Sequence, residues 1–176
     1  MFRQDLSFEE RLLLLARTRG HSPGAERAVV LFSRLGEHAA IWLAIGVLGG
    51  LFDRSAGRRR WVRARRAVLV TYGVNTAIKF TVRRRRPVLP GLPPLMGTTT
   101  GLSFPSAHAA TSFAGALAYR RCGLPAAPLY GLAGAMACSR VYLGVHYPSD
   151  IVAGAALGTA IAAAMTAVAE DLDGGA

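Results

Sequence analysis

A chain of 176 residues with a net charge of +11, 52% hydrophobic residues and a mean hydropathy of +0.31 is the length of one domain, too apolar for an ordinary soluble globule and too charged to lie wholly in lipid. The arginines cluster at the ends of apolar runs and do not line one polar helix with interleaved aromatics, which argues against nucleic acid as the partner and for a bilayer. Cys122 and Cys138 lie in apolar segments without CxxC or Cys/His spacing, so neither a disulfide framework nor a zinc site is expected, and both read as small buried hydrophobes.

At the N-terminus, Asp5, Glu9 and Glu10 precede the short run LLLL, a pattern unlike a secretory signal. Ser7-Phe8-Glu9-Glu10 has the form of a capping box and Gly20 is a natural stop. Residues 8–19 are therefore expected to form an amphipathic helix at the membrane interface, within an N-terminal segment 1–24. A spanning helix needs about 20 mostly apolar residues. Five runs qualify or come close: 28–52, 67–82, 107–119, 124–143 and 151–169. The fold class expected is all-α, an integral-membrane helical bundle of about five transmembrane helices over 25–170, plus the N-terminal amphipathic helix and a short acidic tail at 171–176. Gly and Ala crowd the last two runs, as in GLAGAMA and AGAALGTAIAAA, and small residues let helix backbones approach closely in lipid.

The first run carries Arg34, Glu37 and His38 near its middle. On one continuous helix, Arg34 and Glu37 share a face and would neutralise each other. Alternating passes put the loop 53–66, with Arg54, Arg58, Arg59, Arg60, Arg63, Arg65 and Arg66, on the same side as Arg120-Arg121. That side is expected to be cytoplasmic. The protein then belongs in the cell membrane as a multi-pass chain, with 83–106 and 144–149 on the extracytoplasmic face. Arg83, Arg84, Arg85 and Arg86 count against this assignment unless they have another job.

Three separated stretches meet on that face: 79–87, 103–108 and 139–150. Phosphate oxygens need cations, and Lys79, Arg86 and Arg140 surround an anion from three directions, arginine as a fork and lysine as a point charge. Lys79 is the only lysine in the chain, which suits a position where one ammonium approaches one oxygen. Pro105 and Ser106 read as the first turn of a helix whose free N–H groups face the anion, and His108 follows within proton-transfer reach of a leaving oxygen. His146 and Asp150 are four apart, so the carboxylate can fix the imidazole tautomer and leave the other nitrogen free to attack phosphorus.

K-x6-R-P (Lys79, Arg86, Pro87), P-S-x-H (Pro105, Ser106, His108) and S-R-x5-H-x3-D (Ser139, Arg140, His146, Asp150) resemble the three signatures of the type 2 phosphatidic acid phosphatase superfamily. The resemblance covers roughly residues 67–165 and departs at Ala107, where the family has glycine. A helical Ala107 is tolerated, whereas a positive φ there would put activity in doubt. The resemblance implies a lipid phosphatase without metal or other cofactor. In it His146 forms a phosphohistidine, His108 serves as acid and then base, and Lys79, Arg86, Arg140 and Ser106 hold the phosphate. Arg83, Arg84 and Arg85 match no position of the signatures. A lipid phosphate is the expected partner, polyprenyl-linked by preference because the Arg- and Ala-rich usage resembles that of a GC-rich bacterium, with phosphatidate-like glycerolipids also open. A vanadate-dependent haloperoxidase shares the pocket, but those relatives are soluble. A non-catalytic lipid-binding or transport protein would not need the carboxylate behind His146.

Overall fold

Helix α1 (Phe8–Thr18) starts where the capping box puts it: Ser7 Oγ accepts from the Glu10 N–H while the Glu10 carboxylate accepts from the Ser7 N–H. The computed structural model describes residues 6–53 and 57–174, and those residues form seven α-helices joined by turns and one long loop. Leu13 and Arg17 are the buried face of α1, and Arg17 donates to the carbonyl of Pro93 at 2.8 Å. Phe8, Leu12 and Leu15 face outward. The helix is thus amphipathic and also docked on the loop 83–106.

The first apolar run is not one helix. It divides into α2 (Pro23–Arg34), a single 3-10 turn (Glu37–Ala39) and α3 (Ala40–Phe52), bent by 52° at the break. His38 and Ala39 both adopt left-handed backbone, φ 52° and 61°, which no continuing α-helix allows. The expected Arg34–Glu37 pair fails for this reason: the i,i+3 geometry needs an unbroken helix, and no ion pair joins them among the described residues. Arg34, Glu37 and His38 are all exposed.

Helix α4 (Arg58–Val82) begins well before the apolar run at 67, so most of the arginines assigned to a loop at 53–66 are helical. Arginine is a good helix former, and Trp61 and Ala64 give these basic turns a buried face. Arg54 lies outside the described residues. Helices α5 (Ala107–Arg120), α6 (Ala126–Tyr142) and α7 (Pro148–Gly174) follow the expected runs. Helix α7 continues through 174, so most of the segment read as a tail is helical.

Helix α5 is central, packed against α4, α6 and α7. Its contact with α7 depends on Gly154 and Gly158, where a Cβ would run into the carbonyls of Ser106 and Ala110. Away from the site, Trp42, Trp61 and Tyr119 stack in the core, and their polar tips are satisfied: Trp42 Nε1 donates to Ser112 Oγ (2.8 Å) and Tyr119 to the Trp42 carbonyl (2.7 Å). Cys122 is buried as expected, but Cys138 is exposed, because it lies on the outward face of α6.

Among the described residues one helix, α7 over Pro148–Glu170 with mean hydropathy 2.0, is long and apolar enough to cross a membrane by itself, and the bent pair α2–α3 passes as a second. Exposed apolar side chains such as Leu48, Leu51, Leu69, Val74, Phe80 and Val152 cover the outer faces of α3, α4 and α7. That is a lipid-facing surface.

Candidate active site

The C-terminal ends of α4 and α6 and the N-terminal ends of α5 and α7 meet at one end of the bundle, under the loop 83–106. They enclose a cavity of about 140 Å³ lined among others by Lys79, Arg86, His108, Arg140 and His146. Lys79, at the end of α4, is 7% exposed and donates to the carbonyls of Leu102 (3.2 Å), Ser103 (3.2 Å) and Pro105 (3.0 Å). A tetrahedral ammonium meets three carbonyls converging from different directions, which a planar guanidinium cannot do. This geometry accounts for a lone lysine among arginines and ties the loop before α5 to α4.

Ser106 is the N-cap of α5, accepting from Ala109 N, and is fully buried. The helix therefore starts at Ala107, slightly later than the sequence implied, and Ala107 is helical at the position where the motif has glycine. His108 projects into the cavity from the first turn. Its Nε2 donates to the carbonyl of Ser33 at 3.1 Å, which leaves Nδ1 without a hydrogen bond among the described residues.

His146 sits in the turn between α6 and α7, 2% exposed. Arg86 Nη1 lies 3.1 Å from its Nε2, and because a guanidinium only donates, Nε2 is the acceptor and the ring proton is on Nδ1. Nδ1 faces Asp150 Oδ2 at 3.4 Å, and the same oxygen accepts from Tyr147 N at 2.8 Å. Burial pushes the His146 imidazole down to about 3 against the pull of Asp150, so at neutral pH it is an uncharged ring whose Nε2 lone pair accepts from the Arg86 cation. Arg86 also donates to the carbonyls of Thr100 (2.9 Å) and Val145 (2.6 Å), and burial lowers its pKa to about 10, still a cation. Arg140 is 3% exposed and donates to Ser33 Oγ at 2.6 Å, while its buried Nε has no partner among the described residues. The Arg140 side chain lines the cavity, where a guanidinium suits an anion.

Five of the seven residues expected from sequence line the cavity, while Asp150 stands behind His146 and Ser106 caps the helix that carries His108. Sequence reasoning missed three others. Ser33 supports both His108 and Arg140, and Gly36 lies so close that a Cβ there would be 2.7 Å from His108 Cδ2. Arg84 pairs with Asp150 Oδ1 at 3.0 Å and with Glu9 Oε2 at 2.6 Å. A serine and a glycine flanking an arginine inside an apolar run were the available signals for the first two. Nothing in the pattern RRRR separates Arg84 from Arg83 and Arg85, which are exposed.

Two histidines and three cations around one cavity, Lys79 and Arg140 buried and Arg86 half-buried, at one end of a helical membrane bundle, are the arrangement of the lipid phosphatase class. The model of the PAP2 superfamily matches residues 61–173, and the chain belongs to that superfamily. It is 40% identical over 147 residues, 83% of this chain and 81% of the relative, to a decaprenylphosphoryl-5-phosphoribose phosphatase of Mycobacterium tuberculosis. A protein of the same name from Mycolicibacterium smegmatis is 41% identical over 133 residues, covering 75% of this chain and 72% of the relative. The fold is similar to the crystal structure of Aquifex aeolicus LpxE, with TM-score 0.77, 21% identity and coverage of 94% of this chain and 99% of that one. It is also similar to a PAP2 type phosphatidylglycerolphosphate phosphatase from Bacillus subtilis, with TM-score 0.72, 20% identity and coverage of 93% and 85%. The protein is a membrane enzyme, a lipid phosphate phosphatase.

Proposed function

We propose that the enzyme removes the terminal phosphate monoester from a polyprenylphosphoryl sugar phosphate, the kind of molecule that the mycobacterial relatives are named for. The observation that carries the chemistry is the His146 geometry: Nδ1 toward Asp150, Nε2 toward Arg86 and the cavity that His108 also enters. Nε2 of His146 attacks phosphorus, an N–P bond forms as the P–O bond breaks, and His108 gives its proton to the departing sugar oxygen. His108 then takes a proton from water, whose oxygen displaces His146 and releases inorganic phosphate. Arg86 and Arg140 donate to the equatorial oxygens, Lys79 adds its charge from the cavity wall while its N–H groups hold the loop carbonyls, and Ser106 caps the helix that carries His108. The Ser33 carbonyl accepts from Nε2 of His108 and fixes the orientation of the ring in the cavity.

Among the described residues no group of three or more His, Cys, Asp or Glu could hold a metal ion. The proposed route uses cations already in the chain. Five spans, α3 to α7, carry this site on the extracytoplasmic face, a placement supported by Arg58, Arg59, Arg60, Arg120 and Arg121 at the other end of the bundle. The deciding experiment is phosphate release by detergent-purified protein from a polyprenylphosphoryl pentose phosphate, a polyprenyl diphosphate and a phosphatidate, each with and without excess EDTA. Preferential, EDTA-resistant turnover of the first is expected. Exclusive turnover of phosphatidate overturns the substrate assignment, and loss on chelation with recovery on added Mg²⁺ overturns the mechanism.

A further inference from the structure

The carboxylate behind His146 is held from both sides. Asp150 is fully buried, and its Oδ2 is shared by His146 Nδ1 and Tyr147 N. Its Oδ1 accepts from Arg84 Nη1 at 3.0 Å. The same Nη1 donates to Ser149 Oγ at 2.7 Å, and the guanidinium plane lies 4.1 Å over the Tyr147 ring. Arg84 Nη2 donates to Glu9 Oε2 at 2.6 Å, while Glu9 Oε1 accepts from the Ser149 N–H at 2.9 Å. Glu9, from α1, is therefore an acidic cap on the N-terminus of α7 and also the counter-charge of the arginine that grips Asp150. Five contacts join α1, the loop after α4 and the first turn of α7 in one closed network.

We propose that Arg84 and Glu9 are positioning residues for phosphoryl transfer, and that through them the N-terminal helix α1 fixes the Asp150 carboxylate against His146. The reason is geometric. A carboxylate bound on one oxygen only is free to rotate about its Cβ–Cγ bond, and at 3.4 Å the His146–Asp150 contact is too long to lock it. Arg84 on Oδ1 removes that rotation and supplies a positive charge for a buried anion. Glu9 occupies the second nitrogen of Arg84 and so completes its hold beside Ser149 and Tyr147. Neither residue lines the cavity, so neither touches the phosphate. This role gives a reason for one of the arginines that match no signature of the family, and it connects turnover to whether α1 is docked.

The inference rests on His146 as the nucleophile, and the test separates the two. Phosphohistidine formation is followed by rapid quench in Arg84→Ala, Arg84→Lys, Glu9→Ala and the Glu9→Ala/Arg84→Ala double variant, with inhibition by inorganic phosphate, which binds without a bond to His146, measured in parallel as a report on the cavity. Arg84→Ala and Glu9→Ala should slow phosphoenzyme formation about 10- to 100-fold, by analogy with the loss of an orienting partner behind a metal-bound histidine. Phosphate affinity should stay within about two-fold, Arg84→Lys should recover part of the rate, and the double variant should be no slower than Arg84→Ala. Wild-type rates in both single variants, or phosphate affinity falling in step with the rate, would overturn the proposal. Covalent labelling that persists in His146→Ala instead overturns the underlying mechanism, whatever Arg84 does.

Discussion

His108 and Ser33, 75 positions apart in sequence, are joined by a hydrogen bond of 3.1 Å from the imidazole Nε2 to the Ser33 carbonyl. The proposed acid–base histidine is thus held by the last turn of α2, immediately before the break in the first apolar run. The residues of that break, Gly36 to Ala39, line the candidate site.

Gly36 stands in the break, where a Cβ would be 2.7 Å from His108 Cδ2 and 2.6 Å from Met136 Sδ. Gly36→Ala should therefore displace His108 and slow turnover of an alkyl phosphate by some fraction of the roughly 10²- to 10⁴-fold that acid catalysis is worth. An aryl phosphate, whose leaving group needs little protonation, should be less affected. Equal kinetics for wild type and variant on the alkyl substrate would show that Met136 and the backbone absorb the methyl group.

Lys79→Arg keeps the charge and loses the geometry. Three carbonyls, of Leu102, Ser103 and Pro105, converge on one ammonium, and a flat guanidinium reaches at most two of them. A buried acceptor left unpaired costs about 1–3 kcal/mol. The expected outcome is a lower thermal midpoint together with slower turnover, because the released loop 102–105 carries the start of α5. An unchanged midpoint with a pure loss of activity would make Lys79 a phosphate ligand alone.

Helix positions and motif residues were legible because each depends on local pattern: apolar run length, the capping box at Ser7 and Glu10, and fixed motif spacings. What escaped depended on tertiary context. No spacing rule shows that His38 and Ala39 take left-handed backbone, and the ionisable residues at 34–38 therefore read as one helix face. Arg84 differs from Arg83 and Arg85 only in having Glu9, 75 residues away, and Asp150 as neighbours. Basic turns 58–66 read as loop because hydropathy outweighed helix propensity, although Trp61 inside them is almost fully buried.

The docking of α1 should depend on pH with a defined sign. Burial raises the Glu9 pKa, but hydrogen bonds from Ser149 and Arg84 outweigh it and the net shift is downward from 4.5. A depressed carboxylate stabilises the folded state above its unfolded value and loses that contribution as pH falls through its folded value. The gap in thermal midpoint between wild type and Glu9→Gln should be constant from about pH 8 to 6 and close below about pH 4.5. A gap that persists in acid would mean that the glutamine lacks shape and not charge.

Sidedness is open to cysteine labelling in intact cells. In a Cys138→Ser background, which removes the exposed native thiol, a cysteine at Gly101 near the site should react with an impermeant maleimide and one at Ala127 should not. A Cβ at Gly101 meets nothing within 4 Å, so the probe position is benign. The reverse pattern would put the cavity in the cytoplasm and change the lipid pool that it serves.

The two histidines are separated most sharply by leaving group. With His146 as nucleophile, His146→Ala has no covalent route, and no substrate should be turned over appreciably. His108 acts on the leaving oxygen first and on water second, so its loss is graded. A sugar or lipid alkoxide is a poor leaving group and needs the proton, whereas an acidic phenol leaves nearly unaided. His108→Ala should then keep a larger fraction of its phosphoenzyme formation rate on an aryl phosphate than on the lipid substrate. On the aryl phosphate it should also accumulate phosphohistidine, because the water that clears the intermediate has lost its base. Rapid-quench labelling on both substrates reads the two effects separately. Equal losses on both substrates would take the acid role away from His108, and label appearing in His146→Ala would move the nucleophile elsewhere.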